Sequence, residues 1–289
     1  MLNRKLRIIV MVTPAIAIIL FVLFLSIYTG ISQSLGYFPE VGMTELSFDF
    51  YRKVFNSNVF LPSLKFTFSY SLIASLLSIT VGTFLAMMTK KYNSELTEKL
   101  LNIPIIVPHM IFALIVLQLL SQSGLISRFM LNFGLLNSQE NFPLLLFSKN
   151  SIGIILCYLI KEIPFVTLTV LGVLKRINIQ YYEQAQSLGA NKRNVFVKIT
   201  LPLLLPNIIY VFLIVFIYSF GDYEVAQLLG PSSPKPLATL SYNAYTNPLL
   251  TDRPEAMVYN MIIFSFGIIS TIFMIFIFRK MMKLGEDYD

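Results

Sequence analysis

Four ionisable side chains lie within stretches otherwise built for an apolar solvent. Lys161 and Glu162 fall about ten residues into the apolar run 151–174, and Asp222 and Glu224 sit in the outer third of the run 204–229, beside Gly221. A charge at the centre of a bilayer costs about 2.5–3.5 kcal/mol on insertion scales, so it faces a cavity, a partner or a solute route. At 1.5 Å per residue, Lys161 and Glu162 would lie about 15 Å deep, and as neighbours about 100° apart they would not share a partner. On a continuous helix Asp222 and Glu224 would diverge by about 200°. Two chemistries follow: passage of a polar solute, or an internal salt bridge from Lys161 to Asp222 or Glu224. Intramembrane aspartyl proteolysis is a poor third. Ser219-Phe220-Gly221-Asp222 lacks the first glycine of Gly-x-Gly-Asp, and no second Asp lies in a span. One His and one Cys, His109 and Cys157, argue against a multi-ligand zinc site and rule out an intrachain disulfide. His109 follows Pro104 and Pro108 and reads as a cavity-facing or hydrogen-bonded group rather than a proton relay.

The elements that must hold these residues are membrane helices. The chain has 289 residues, 56% of them hydrophobic, with a mean hydropathy of +0.72. Soluble domains average about 45–50% apolar residues. Six runs approach the ~20 residues needed to cross hydrocarbon as a helix: 8–29, 63–88, 103–121, 151–174, 204–229 and 257–279. None alternates with the period of two that a barrel strand requires. The first run is too long for a signal peptide and has no small-residue cleavage site, so it is expected to be a retained span. Lys65 can snorkel to the interface, and Gly267 with Ser265 and Ser270 suits helix packing. The fold class expected is an all-α integral membrane protein with six spans in a single domain over 1–289.

Net charge is +7. The basic residues cluster at the ends of apolar runs, which points to membrane orientation rather than nucleic acid. Fourteen Lys and Arg, among them Arg4, Lys5, Arg7, Lys90, Lys91, Lys175, Arg176, Lys192, Arg193, Lys280 and Lys283, would lie on the side of both termini, against six on the other. The positive-inside rule then puts both termini and the loop 175–203 in the cytoplasm.

That loop is a charged stretch between apolar runs. Asn178 can cap a short helix, Gly189 can end it in the left-handed conformation, and Asn191 can cap a second helix through Lys198. Pro202 is expected to end that second helix and introduce the fifth span. Glu183 and Ala185 are followed by Gly189, and nine residues later by Ile199, Leu201 and Pro202. This pattern resembles the EAA loop of ABC-importer permeases, E-A-A-x3-G-x9-I-x-L-P, departing from it only at Gln184. The resemblance is to type I importers, and among them to the polyamine-like branch, whose pattern Phe220-Gly221-Asp222-Tyr223-Glu224-Val225 through Leu229-Gly230 also resembles; Asp222 and Gln227 depart from it.

The resemblance implies that Glu183, Ala185, Gly189, Ile199, Leu201 and Pro202 belong to a coupling helix seated on a cytoplasmic ATPase. No G-x-x-x-x-G-K-[ST] phosphate loop occurs, so the chain is expected to be non-catalytic, with no cofactor of its own. ATP and Mg would be held by a partner ATPase pair. A second permease, alike or different, and an external solute-binding protein would complete the assembly in a bacterial inner membrane. Lys161, Glu162, Asp222 and Glu224 would be the pathway candidates, and a polyamine or other small organic solute the cargo. The alternative is a self-sufficient ion-coupled transporter or channel, which has no need of such a loop.

Overall fold

The computed structural model describes residues 4–92 and 94–286, and the side chains of 10–92 and 94–279; the side chains of Arg4, Lys5, Arg7, Lys280 and Lys283, used above for orientation, lie outside that set. Among the described residues there is no strand, only an isolated bridge between Phe38 and Met43. Among the described residues thirteen α-helices run in order: α1 (Arg4–Ser34), α2 (Asp49–Phe55), α3 (Phe60–Tyr92), α4 (Glu95–Ile106), α5 (His109–Leu120), α6 (Leu125–Asn132), α7 (Ile152–Arg176), α8 (Ile179–Ser187), α9 (Lys192–Val195), α10 (Leu201–Gly221), α11 (Glu224–Leu229), α12 (Leu237–Tyr245) and α13 (Arg253–Glu286). Six segments are long and apolar enough to cross a membrane: Val10–Ser34, Phe60–Tyr92, His109–Asn132, Ile152–Arg176, Lys192–Gly221 and Leu250–Arg279.

The chain forms two compact units. One joins the chain up to Phe60 with Leu240–Phe264. There the Tyr51 hydroxyl donates to Ser34 Oγ at 3.0 Å, Lys53 pairs with Glu255, and Ser241 bonds the Ala256 carbonyl and Asn260. The chain itself buries none of the most apolar stretch of α1. A helix apolar all round needs lipid or another subunit to cover it.

The second unit comprises Leu61–Thr239 and the chain from Ser265, and α7 is its axis. One core cluster joins Tyr70 and Ala74 of α3, Ala113 and Val116 of α5, Ile154, Cys157 and Tyr158 of α7, and Val225 and Leu229 of α11. A second joins Ile79 and Ala86 of α3 to Val166, Val170, Leu171 and Leu174 of α7 and Leu204, Val211 and Val215 of α10. Both clusters run through α3 and α7, which meet closely at Gly82. A Cβ there would stand 2.6 Å from Val166 Cγ1 and 3.1 Å from the Ile163 carbonyl oxygen.

Two expected spans are interrupted. The run 103–121 is divided between α4 and α5, because Pro108 has no amide and pushes Val107 into the extended region, at ψ 131°. The run 204–229 stops at Gly221; Asp222 is extended, at ψ 131°, and α11 begins a new short helix. Asp222 and Glu224 therefore do not share one continuous helix, and the 200° argument fails. Conversely, Pro202 ends nothing. A π-helical segment, Phe196–Thr200, links α9 to α10 in one span. The wider turn absorbs a stretch in which Pro202 and Pro206 both lack amide donors.

The Gly82 contact sets the spacing of α3 and α7. Gly82→Ala is expected to destabilise the subunit by about 1–3 kcal/mol, the usual cost of overpacking. Thermal denaturation in detergent would show a lowered Tm, and adding Val166→Ala should recover part of it.

Candidate functional site

The polar residues of α7 gather on one face at the level of both interruptions. Tyr158, Lys161 and Glu162 stand at positions i, i+3 and i+4, which bring side chains onto a common surface. All three are buried.

Lys161 meets backbone, not a carboxylate. Its ammonium donates to the carbonyls of Ile105, at 3.3 Å, and Val107, and lies 5.9 Å from the Phe112 ring centroid. These carbonyls end α4 where the helix gives them no amide partner. The alternative of a salt bridge from Lys161 to Asp222 or Glu224 is thus not realised: the ammonium is already engaged by the carbonyls that precede α5. Glu162 Oε1 lies 3.3 Å from His109 Nε2, at the first residue of α5. The His109 ring packs against Tyr218 of α10, centroids 4.5 Å apart. His109 is thereby the hydrogen-bonded, cavity-facing residue its position suggested.

Lys161, Glu162, His109 and Tyr218, with Ile105, Phe165 and Ile214, line a cavity of about 190 Å³. Lys161 and Glu162 both reach it yet have separate partners, as expected of neighbours on a helix: those partners lie on opposite sides of the Val107–Pro108 break.

The other two candidates part company. Asp222 Oδ2 accepts the Tyr158 hydroxyl at 2.9 Å and the Val225 amide at 3.1 Å. It joins α7 to the first turn of α11. Glu224 is exposed in that turn and stands apart from the cavity lining. The sequence reading passed over Tyr158 and Tyr218. Tyr158 carried a usable signal, a hydroxyl three residues before a membrane lysine. The Ile105 and Val107 carbonyls were foreshadowed only by Pro108.

At the other end of α7 the loop 177–200 takes the caps its residues allow. Asn178 accepts the Gln180 amide, Asn191 accepts the Asn194 amide at 2.8 Å, and Gly189 turns the chain at φ +81°. Glu183 and Gly189 are exposed and Ala185 half-buried on the α8 side; Ile199 and Leu201 are half-buried and Pro202 exposed on the α9–α10 side. Between α8 and the ends of α3 and α7 lies a cavity of about 780 Å³, lined in part by Lys90, Lys91, Lys175, Tyr182 and Glu183. Among the described residues, no cluster of three His, Cys, Asp or Glu could hold a metal ion.

A family profile described as binding-protein-dependent transport system inner membrane component matches residues 78–284, which is 207 of 289 residues. The chain belongs to this family. It is a permease subunit of an ABC importer, which leaves the self-sufficient ion-coupled transporter without support. The match takes in both interruptions, all of α7 and the 175–203 loop.

Relatives serve diverse cargo. The permease is 24% identical over 191 residues to the molybdenum transport permease ModB of Haemophilus influenzae, covering 63% of this chain and 79% of that one. It is 26% identical to the sulfate permease CysT of Salmonella typhimurium, over 63% of each chain, and 27% identical to the spermidine/putrescine permease PotB of that species, over 55% of each. The chain spans 43% of the maltose/maltodextrin permease MalF of Vibrio vulnificus. Its fold matches a chain of a bacterial ABC transporter for import of the acidic polysaccharide alginate with a TM-score of 0.71 at 19% identity, over 97% of this permease and 99% of that chain. The MetNI methionine transporter gives 0.56 at 15%, over 77% and 96%.

Lys161→Met should orphan two carbonyls, at about 1–3 kcal/mol for each buried unpaired group. The expected result is a lowered Tm of the purified subunit, restored by neither Asp222→Asn nor Glu224→Gln. Rescue by Glu224→Gln would mark an ion pair instead.

Proposed function

We propose that this permease forms half of a solute pathway with a second, identical or homologous permease. In this reading the 175–203 loop seats on a cytoplasmic ATPase, the ATPase pair binds ATP and Mg, and an external binding protein delivers the solute. Both termini lie in the cytoplasm. Glu183, Ala185, Gly189, Ile199, Leu201 and Pro202 make up the ATPase-coupling surface. The observation that carries the reading is the apolar exposure of α8 and its turn. Ile179 is 66% exposed, Tyr181 54% and Leu188 89%. Side chains of this kind on a short polar helix outside the spans suit a groove in a partner protein. The excess of basic residues on this side of the membrane supports the same orientation.

For the cargo we propose a small organic cation of the polyamine kind. Carbonyls engage the Lys161 charge, which leaves Glu162 as the carboxylate of the 190 Å³ cavity, with Tyr218 and Phe165 in its walls. A carboxylate among aromatic faces is chemistry that holds an ammonium group. Asp222 and Glu224 drop out of this cation site, the first because Tyr158 and Val225 occupy it.

The permease reconstituted with its ATPase, partner permease and binding protein in proteoliposomes tests both points. Gly189→Val should insert normally but lose uptake and substrate-stimulated ATP hydrolysis together, because a β-branched residue resists positive φ. Normal uptake would reduce the loop to a connector. Glu162→Gln should lower uptake of labelled spermidine about tenfold or more while leaving assembly intact. Unchanged spermidine uptake, or saturable uptake of molybdate or sulfate instead, would overturn the cation reading.

A further inference from the structure

Tyr158 is a buried polar residue that no pathway role explains. Its side chain is fully buried, stacked on Tyr70 of α3 with ring centroids 6.2 Å apart and planes 12° from parallel. The hydroxyl points across the core to Asp222, 2.9 Å away, at the point where the fifth span stops. The same Asp222 oxygen accepts the Val225 amide, so one carboxylate serves both the hydroxyl of α7 and the first turn of α11. Val225 and Leu229 pack in the same core as Tyr158, and the Leu229 carbonyl accepts the Phe147 amide.

One turn further along α7, Lys161 holds the end of α4. Near its far end α7 holds α4 again, through Lys175 and Glu98 at 2.5 Å, while Lys90 of α3 donates to the Leu174 carbonyl at 2.7 Å. Eighteen residues separate Tyr158 from Arg176, a rise of about 27 Å between the segment 222–229 and the loop that begins at Ile177. α7 spans that length as one helix with Pro164 inside it; the missing amide removes one hydrogen bond of the ladder, and the packing of Val166, Val170 and Leu174 carries displacement past it. Across the interruption at Asp222, α11 is tied to α7 by the packing of Val225 and Leu229 and by the one directional bond from Tyr158 to Asp222.

We propose that Tyr158 is a positioning residue for transport. Its hydroxyl, through Asp222, makes α11 follow α7, so that movement of the ATPase-docking loop reaches the segment beyond the fifth span. This rests on the reading of 175–203 as the docking loop.

The test compares solute moved per ATP hydrolysed in the reconstituted complex. Tyr158→Phe keeps the ring stacked on Tyr70 and removes only the donor. Substrate-stimulated ATP hydrolysis should stay within about twofold of the parent, while solute moved per ATP falls about tenfold. Asp222→Asn keeps an amide oxygen with two lone pairs, able to accept from both Tyr158 and Val225, and should transport at the parent ratio. Asp222→Leu should behave like Tyr158→Phe or worse. A parent-like ratio in Tyr158→Phe overturns the proposal. If Tyr158→Phe fails to assemble, the Asn and Leu pair decides: loss of coupling in Asp222→Asn, or none in Asp222→Leu, overturns it equally. Failure of the docking-loop reading has a different mark, normal uptake and stimulation by Gly189→Val.

Discussion

Backbone amides and carbonyls within a bilayer have no water to bond, so every break in a membrane helix must be closed by protein. This chain breaks two of its long apolar runs, 103–121 and 204–229, where the membrane segments His109–Asn132 and Lys192–Gly221 begin and end, and closes both breaks from one helix. Pro108 strands the last carbonyls of α4, and the Lys161 ammonium takes them. Gly221 ends α10, and Asp222, held by Tyr158, supplies the acceptor that starts α11. A charge that would be costly in hydrocarbon is stabilised where donors are missing. The packing follows from this arrangement. α7 passes through both core clusters, and Gly82 lets α3 lie against it.

Hydropathy alone made the six spans and their helical nature legible, and the caps at Asn178, Gly189 and Asn191 could be read from residue type. The interruptions were not. Apolar composition runs unbroken through Val107, whereas Gly221, Asp222 and Glu224 marked the second break without showing that the backbone turns there; a hydropathy window is blind to backbone direction. Pro108 was visible, but the residue before a proline also survives inside kinked helices. Pro202 misled in the opposite sense, since a π-helical segment carried the chain past it. The charges stood out by residue type, and of the two readings of Lys161 the salt bridge to Asp222 or Glu224 is replaced by bonds to carbonyls. Sequence places charge near charge and gives no account of carbonyls left over by a break.

The four membrane charges thus have separate roles. Lys161 holds a helix end, Glu162 faces a cavity beside His109, Asp222 joins two helices and Glu224 is exposed. Family membership says that such a subunit works in a binding-protein-dependent importer. The cargo of relatives runs from molybdate through sulfate and maltodextrin to polyamines, so the scaffold serves many solutes.

Hydrogen–deuterium exchange of the assembled transporter, read at residues 105–111 and 222–226, tests most directly whether α7 closes both breaks. Lys161→Met should speed exchange about tenfold in the first segment, and Tyr158→Phe should do so in the second, with the middle of α7 unchanged in both. Parent-like exchange at both breaks in both variants would contradict the account, because the side chains of α7 would then be bystanders to helix ends held by something else.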